Sequence, residues 1–158
     1  MKSLTLMRHA KAAMDSPDGS DFGRPLNARG RADAVRMGED IRKFGIRFDL
    51  VLASPARRVV ETVESVGPLT ASLDPRLYNA STGQLLDVIR EIDDGVDRLL
   101  MVGHNPGIGQ LAAQLTASGI DDFPTAALAE IELTVDDWRE VEMGSGRLIR
   151  FITPNDLA

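Results

Sequence analysis

The chain has 158 residues and a mass of 17.1 kDa, which at roughly 150 residues per domain predicts a single domain over residues 1–158. Hydrophobic and charged fractions of 43% and 27%, with aromatics at 4%, exclude a disordered, collagen-like or coiled-coil chain and predict a core of Leu, Val, Ile and Ala. A net charge of -6, no cysteine and no apolar run near the ~20 residues of a membrane span predict a soluble, cytoplasmic protein with no nucleic-acid, membrane or disulfide role.

Leu4 to Met7 reads as a short buried strand, followed by a loop rich in Asp, Ser, Gly and Pro as far as Leu26. Asn27 can cap a helix whose apolar stripe is Ala34, Met37, Ile41 and Phe44, with Gly45 as its stop. Leu50 to Ala53 is a second strand, and Ser54-Pro55 then opens a helix with Ser as N-cap and Val59, Val60, Val63 and Val66 on one side. Ala71 to Leu73 is extended, and Ser81 with Gln84 forms a capping box for a helix that turns Leu85, Val88, Ile89 and Ile92 inward. Leu99 to Val102 is another buried strand, and Asn105-Pro106 starts a helix with Ile108, Leu111, Ala112 and Leu115 on its core face. The pattern then changes. Leu128–Val135 and Trp138–Met143 flank Asp136-Asp137 and read as an antiparallel hairpin, with Leu148–Ile152 as a last strand. This order predicts an α/β, three-layer fold: a mostly parallel central sheet, helices on both faces, and a C-terminal antiparallel hairpin. Nothing in it specifies an oligomeric state.

Both histidines of the chain directly follow a strand, in Leu4-Thr5-Leu6-Met7-Arg8-His9 and Leu99-Leu100-Met101-Val102-Gly103-His104. In an open parallel sheet ligands bind beyond the carboxyl ends of the strands, so both imidazoles are expected at one edge. The second and fourth helices start there too, and their first-turn amides are candidate anion sites. Arg8, beside His9, and Arg58, four residues after Ser54, are placed to grip a tetrahedral dianion by bidentate hydrogen bonds. A metallohydrolase built on the two histidines is the less favoured alternative, since neither has ligand spacing and the neighbouring charges are arginines.

These segments resemble the histidine phosphatase (phosphoglycerate-mutase-like) superfamily. Arg8-His9-Ala10 stands where most members have Arg-His-Gly, Ser54, Arg58 and Thr62 keep the family spacing of four, and Val102-Gly103-His104-Asn105-Pro106 looks like the second-histidine segment. The short length, Arg24-Pro25-Leu26 and the Thr125-Ala126-Ala127-Leu128 tail look most like SixA-type phosphohistidine phosphatases. The resemblance implies a phosphoglycerate-mutase-like fold and a metal- and cofactor-independent phosphatase. In it His9 attacks the phosphoryl group and carries it, while Arg8, Arg58 and His104, with Asn105, hold its oxygens.

Members that cleave phosphate esters usually carry a Glu or Asp that protonates the leaving oxygen, and the corresponding stretch here is Leu77-Tyr78-Asn79-Ala80. Asn79 is no acid. Asp15, Asp18 and Asp21 in the first loop are possible substitutes, though a solvated polar loop is the expected reading of all three. The leading expectation is therefore hydrolysis of phosphohistidine on a partner signalling protein. A small phosphate ester is the alternative substrate, and a non-catalytic phosphoprotein-binding module is the third reading.

Overall fold

The computed structural model describes residues 1–154. Its strands are β1 (Lys2–Arg8), β2 (Leu50–Ala53), β3 (Ser72–Leu73), β4 (Arg98–Gly103), β5 (Leu128–Leu133) and β6 (Gly146–Ile152). Its α-helices are α1 (Ala28–Lys43), α2 (Arg57–Val66), α3 (Thr82–Arg90) and α4 (Gly107–Thr116). One six-stranded sheet runs in the order β3-β2-β4-β1-β5-β6. The first four of these strands are parallel to one another, and β5 and β6 are added antiparallel.

The central strands are apolar on both faces because both faces are covered. Leu4, Leu6, Leu99 and Met101 join the core beneath α3 and α4, whereas Met7, Leu100 and Val102 join the core beneath α1 and α2. Asn27 caps α1 by accepting from Gly30 N at 2.8 Å, and the Ser81–Gln84 capping box of α3 forms in full.

Four expectations need correction. Phe44 ends 44% exposed, with Arg150 stacked 4.2 Å above its ring, because it is the C-cap residue and lies past the buried stripe. Val60 is half-buried, not part of the core face of α2. That helix begins at Arg57, not at Pro55; Ala56 is the N-cap and Ser54 is drawn away to another partner. Trp138–Met143 is not a strand. Trp138–Glu140 is a 3₁₀ turn that buries Trp138 completely, with its indole N–H on Val96 O at 2.7 Å, so the hairpin partner of β5 is the later strand β6.

The first turn of α1 rests on the chain just after β1. A Cβ at Gly30 would collide with the carbonyl of Lys11. Gly30→Ala is therefore expected to lose up to about 2 kcal/mol of stability, as roughly 1–3 kcal/mol of overpacking is offset by about 1 kcal/mol of gained helix propensity. Urea unfolding measures this, and a higher midpoint would contradict it.

Candidate active site

Parallel pairing of β1 with β4 places Arg8 opposite Gly103, so the next residues, His9 and His104, emerge together at the carboxyl edge. Their rings lie 5.4 Å apart between centroids, edge to face. The backbone of His9 is fastened on both sides, by its N–H to Gly103 O at 3.0 Å and by Ala126 N–H to its carbonyl at 3.0 Å.

His9 is 8% exposed and its Nδ1 lies 2.7 Å from Ala10 O. A carbonyl only accepts, so Nδ1 carries the proton and Nε2 keeps a lone pair. Burial, and then the nearby charges of Arg58, Arg8 and Arg24, depress the pKa of His9 to about 4, although the Ala10 bond opposes this. The ring is thus neutral near pH 7, with one nucleophilic nitrogen.

Arg58 is 4% exposed and lies on a face of α2 whose every fourth residue serves the site. Ser54 Oγ, just before the helix, meets His104 Nε2 at 2.8 Å; Arg58 Nη2 meets His104 Nδ1 at 3.2 Å; and Thr62 Oγ1 accepts from Ala10 N at 2.9 Å. A guanidinium only donates, so His104 Nδ1 accepts and Nε2–H faces the serine. Burial, followed by Arg58, lowers the His104 pKa to about 3. His104 therefore orients Arg58 in this geometry instead of offering it a cation. An oxyanion seated between the arginines would favour its protonated form, but a protonated Nδ1 could no longer accept from Arg58.

Arg8 Nη1 donates to Phe123 O at 3.1 Å. Among the described residues the Nε atoms of Arg8 and Arg58 are buried and lack any hydrogen-bond acceptor. Unmet buried donors cost roughly 1–3 kcal/mol each, and both guanidinium charges bear on His9.

Other expected ligands also make structural bonds of their own. Asn105 accepts from Gly109 N at 3.0 Å and donates to Phe123 O at 2.8 Å, so its amide caps α4 and steadies the carbonyl that holds Arg8. The helix amides proposed as anion sites are largely taken as well. Ala56 N and Arg57 N bond Ser54 Oγ and Phe22 O, and Ile108 N bonds His104 O. Arg57 lies at the surface, paired with Glu61 at 2.9 Å. The anion grip thus falls to side chains.

Asp15 and Asp18 are exposed, as a solvated loop requires, but Asp21 is not free. Its carboxylate lies 3.2 Å from Arg58 Nη2, 3.1 Å from Arg24 Nε and 2.7 Å from the Tyr78 hydroxyl, and its carbonyl accepts Arg58 Nη1 at 2.8 Å. Tyr78 also stacks edgewise on Phe22 and His104. Sequence reasoning missed the roles of Tyr78, Ser54 and the Phe123 carbonyl, and of Asp21 as the partner of Arg58, because no local spacing connects these segments.

Clefts of about 440 Å³ beside Asp21 and Arg24 and about 290 Å³ beside Asn105 and Phe123 flank the centre. A further cavity of about 610 Å³ lies at the opposite end of β1 around Lys2 and Arg98 and touches none of these groups. No helix is long and apolar enough to cross a membrane, and no cluster of three or more His, Asp or Glu side chains suited to a metal occurs, among the described residues.

The model of the histidine phosphatase superfamily (branch 1) matches residues 4–95, a span that contains Arg8, His9 and Arg58 and stops before His104. An uncharacterized protein of Mycobacterium tuberculosis is 36% identical over 160 residues, covering 94% of this chain and 99% of that protein. The phosphohistidine phosphatase SixA of Escherichia coli is 30% identical over 136 residues, covering 81% of this chain and 83% of its own. A solved structure of the protein histidine phosphatase SixA complexed with tungstate superposes with a TM-score of 0.83, at 27% identity and 99% coverage of both chains.

Proposed function

Since the chain belongs to the histidine phosphatase superfamily, we propose that it is a phosphohistidine phosphatase that works through a covalent phosphohistidine on His9 and acts on a protein in the cytoplasm. The observation that carries the reading is the neutral His9 ring, whose Nδ1–H is committed to Ala10 O, which leaves Nε2 with a lone pair, and which lies in the field of the Arg58 and Arg8 guanidiniums. Phosphoryl transfer asks for positioning and charge stabilisation above all, and these residues supply both.

In the proposed sequence, Arg8 and Arg58 seat the phosphoryl oxygens. His9 Nε2 then bonds to phosphorus as the bond to the substrate nitrogen breaks, and water later attacks the phosphorylated His9. His104, held between Ser54 and Arg58, keeps Arg58 in place. The direct experiment is release of inorganic phosphate from a histidine-phosphorylated peptide; no release at any enzyme concentration removes this substrate class.

Two further outcomes are expected. Arg58→Lys should lose roughly 2 kcal/mol or more of transition-state stabilisation, because a single ammonium cannot hold His104, Asp21 and a phosphoryl oxygen together. Arg57→Lys, at an exposed ion pair, should stay within about 0.5 kcal/mol. If kcat/KM measurements found position 57 the sensitive one, the assignment of the α2 face would be wrong. Activity should also survive EDTA, since the arginines bring the positive charge that a cation otherwise supplies. Loss of activity in EDTA with recovery on adding a divalent ion would contradict this.

A further inference from the structure

We propose that the Asp21 carboxylate makes this site selective for phosphoryl groups carried on a protonatable ring nitrogen, by acting as counter-charge to the substrate's imidazolium. The proposal rests on the phosphohistidine reading and deepens it. Asp21 is pinned by Arg58, Arg24 and Tyr78, which come from three different segments. It is 51% exposed, whereas Arg58 is 4% and His9 is 8% exposed, so it stands at the mouth and they form the floor. In-line displacement drives the leaving group away from the attacking nitrogen, hence from the floor out to the mouth, where Asp21 stands. Asp122 is the carboxylate felt by Arg8.

Asp21 is not suited to donate a proton. The Tyr78 hydroxyl, above all, and the charges of Arg58 and Arg24 hold its pKa at about 2, against some desolvation. It is ionised throughout the neutral range and serves as an acceptor. The groups facing it are Arg58, Arg24 and Tyr78, with His104 behind Arg58.

The bond changes balance without an acid. The His9 Nε2 lone pair forms the new bond to phosphorus, and the electron pair of the breaking phosphorus–nitrogen bond returns to the substrate ring. If the other ring nitrogen already carries a proton, the ring leaves as neutral imidazole; if it does not, the ring must leave as an imidazolate. A carboxylate within reach of that N–H keeps the proton on the ring. A phosphate ester has no proton to offer there and brings its own negative charge toward the same carboxylate. One residue thus favours the first class and disfavours the second.

The test compares wild type with Asp21→Asn, which retains an acceptor for Arg58 and Tyr78, on a histidine-phosphorylated peptide and on p-nitrophenyl phosphate. On the peptide at pH 7, kcat/KM should fall about tenfold, the scale of one charge-assisted hydrogen bond, and on the ester it should rise. The alkaline limb of kcat for the peptide should move to lower pH, because the bound ring loses its proton more readily. Equal losses on both substrates with an unmoved alkaline limb, or no loss on the peptide, would overturn the proposal. A wild-type enzyme that hydrolyses the ester and never the peptide would overturn the phosphohistidine reading, and this proposal with it, before any variant is made.

Discussion

His9→Ala is expected to reduce turnover by on the order of 10⁴-fold or more, the scale seen when a covalent nucleophile is removed. His104 cannot replace it, since Arg58 donates to one ring nitrogen and Ser54 occupies the other. The variant should remain folded. His9 is buried, but the backbone bonds that fix its position, to Gly103 O and from Ala126 N, do not involve the ring; what is lost is the bond to Ala10 O, worth about 1 kcal/mol. Rapid mixing with ³²P-labelled substrate and quenching in alkaline denaturant should leave label on wild type alone. Alkali is needed because protonating an N-phosphorylated imidazole activates it for hydrolysis. Equal label on wild type and His9→Ala would remove His9 as nucleophile.

What could be read from the sequence was whatever short-range spacing encodes. An Arg-His pair ending a strand must reach the carboxyl edge of the sheet, and a second histidine ending a parallel strand reaches the same edge. Ser54, Arg58 and Thr62, four apart, share one side of α2, and each makes a contact there: Ser54 and Arg58 with His104, and Thr62 with Ala10 N. The same serine also shows where local rules fail. Ser-Pro is a good helix start, yet Ser54 lies against His104 and the helix waits until Arg57, because a desolvated imidazole N–H needs an acceptor more than the helix needs its cap. Trp138 fits a strand by composition, but the Val96 carbonyl and the core under α3 take it into a 3₁₀ turn. Asp21 is the plainest case. Nothing within a few residues distinguishes it from Asp15 or Asp18, and only the fold brings Arg58, 37 residues away, to its carboxylate.

Preference for phosphohistidine over alkyl phosphate esters is expected to reach at least about 100-fold in kcat/KM, the lower end of a general-acid contribution of about 10²–10⁴-fold. Transfer from a phosphorylated imidazole to His9 exchanges one phosphorus–nitrogen bond for another, so the step is nearly balanced and needs clamping by Arg8 and Arg58. Expelling an alkoxide instead requires a proton at the transition state. Asn79 cannot give one, and Asp21, the carboxylate in contact with Arg58, is held near a pKa of about 2 by the Tyr78 hydroxyl and its arginine neighbours. Asp15 and Asp18 are exposed on the outer loop, where Asp18 is engaged with Ser16 and Ser20. Activated aryl esters are set aside in this comparison because their leaving groups need little protonation. The measurement is kcat/KM for a histidine-phosphorylated peptide against a panel of alkyl phosphates, with Asp15→Asn and Asp18→Asn run in parallel. Comparable rates on both classes, with the alkyl activity lost on changing either loop aspartate, would reveal a proton donor that reaches the leaving oxygen and would make a small phosphate ester the better substrate.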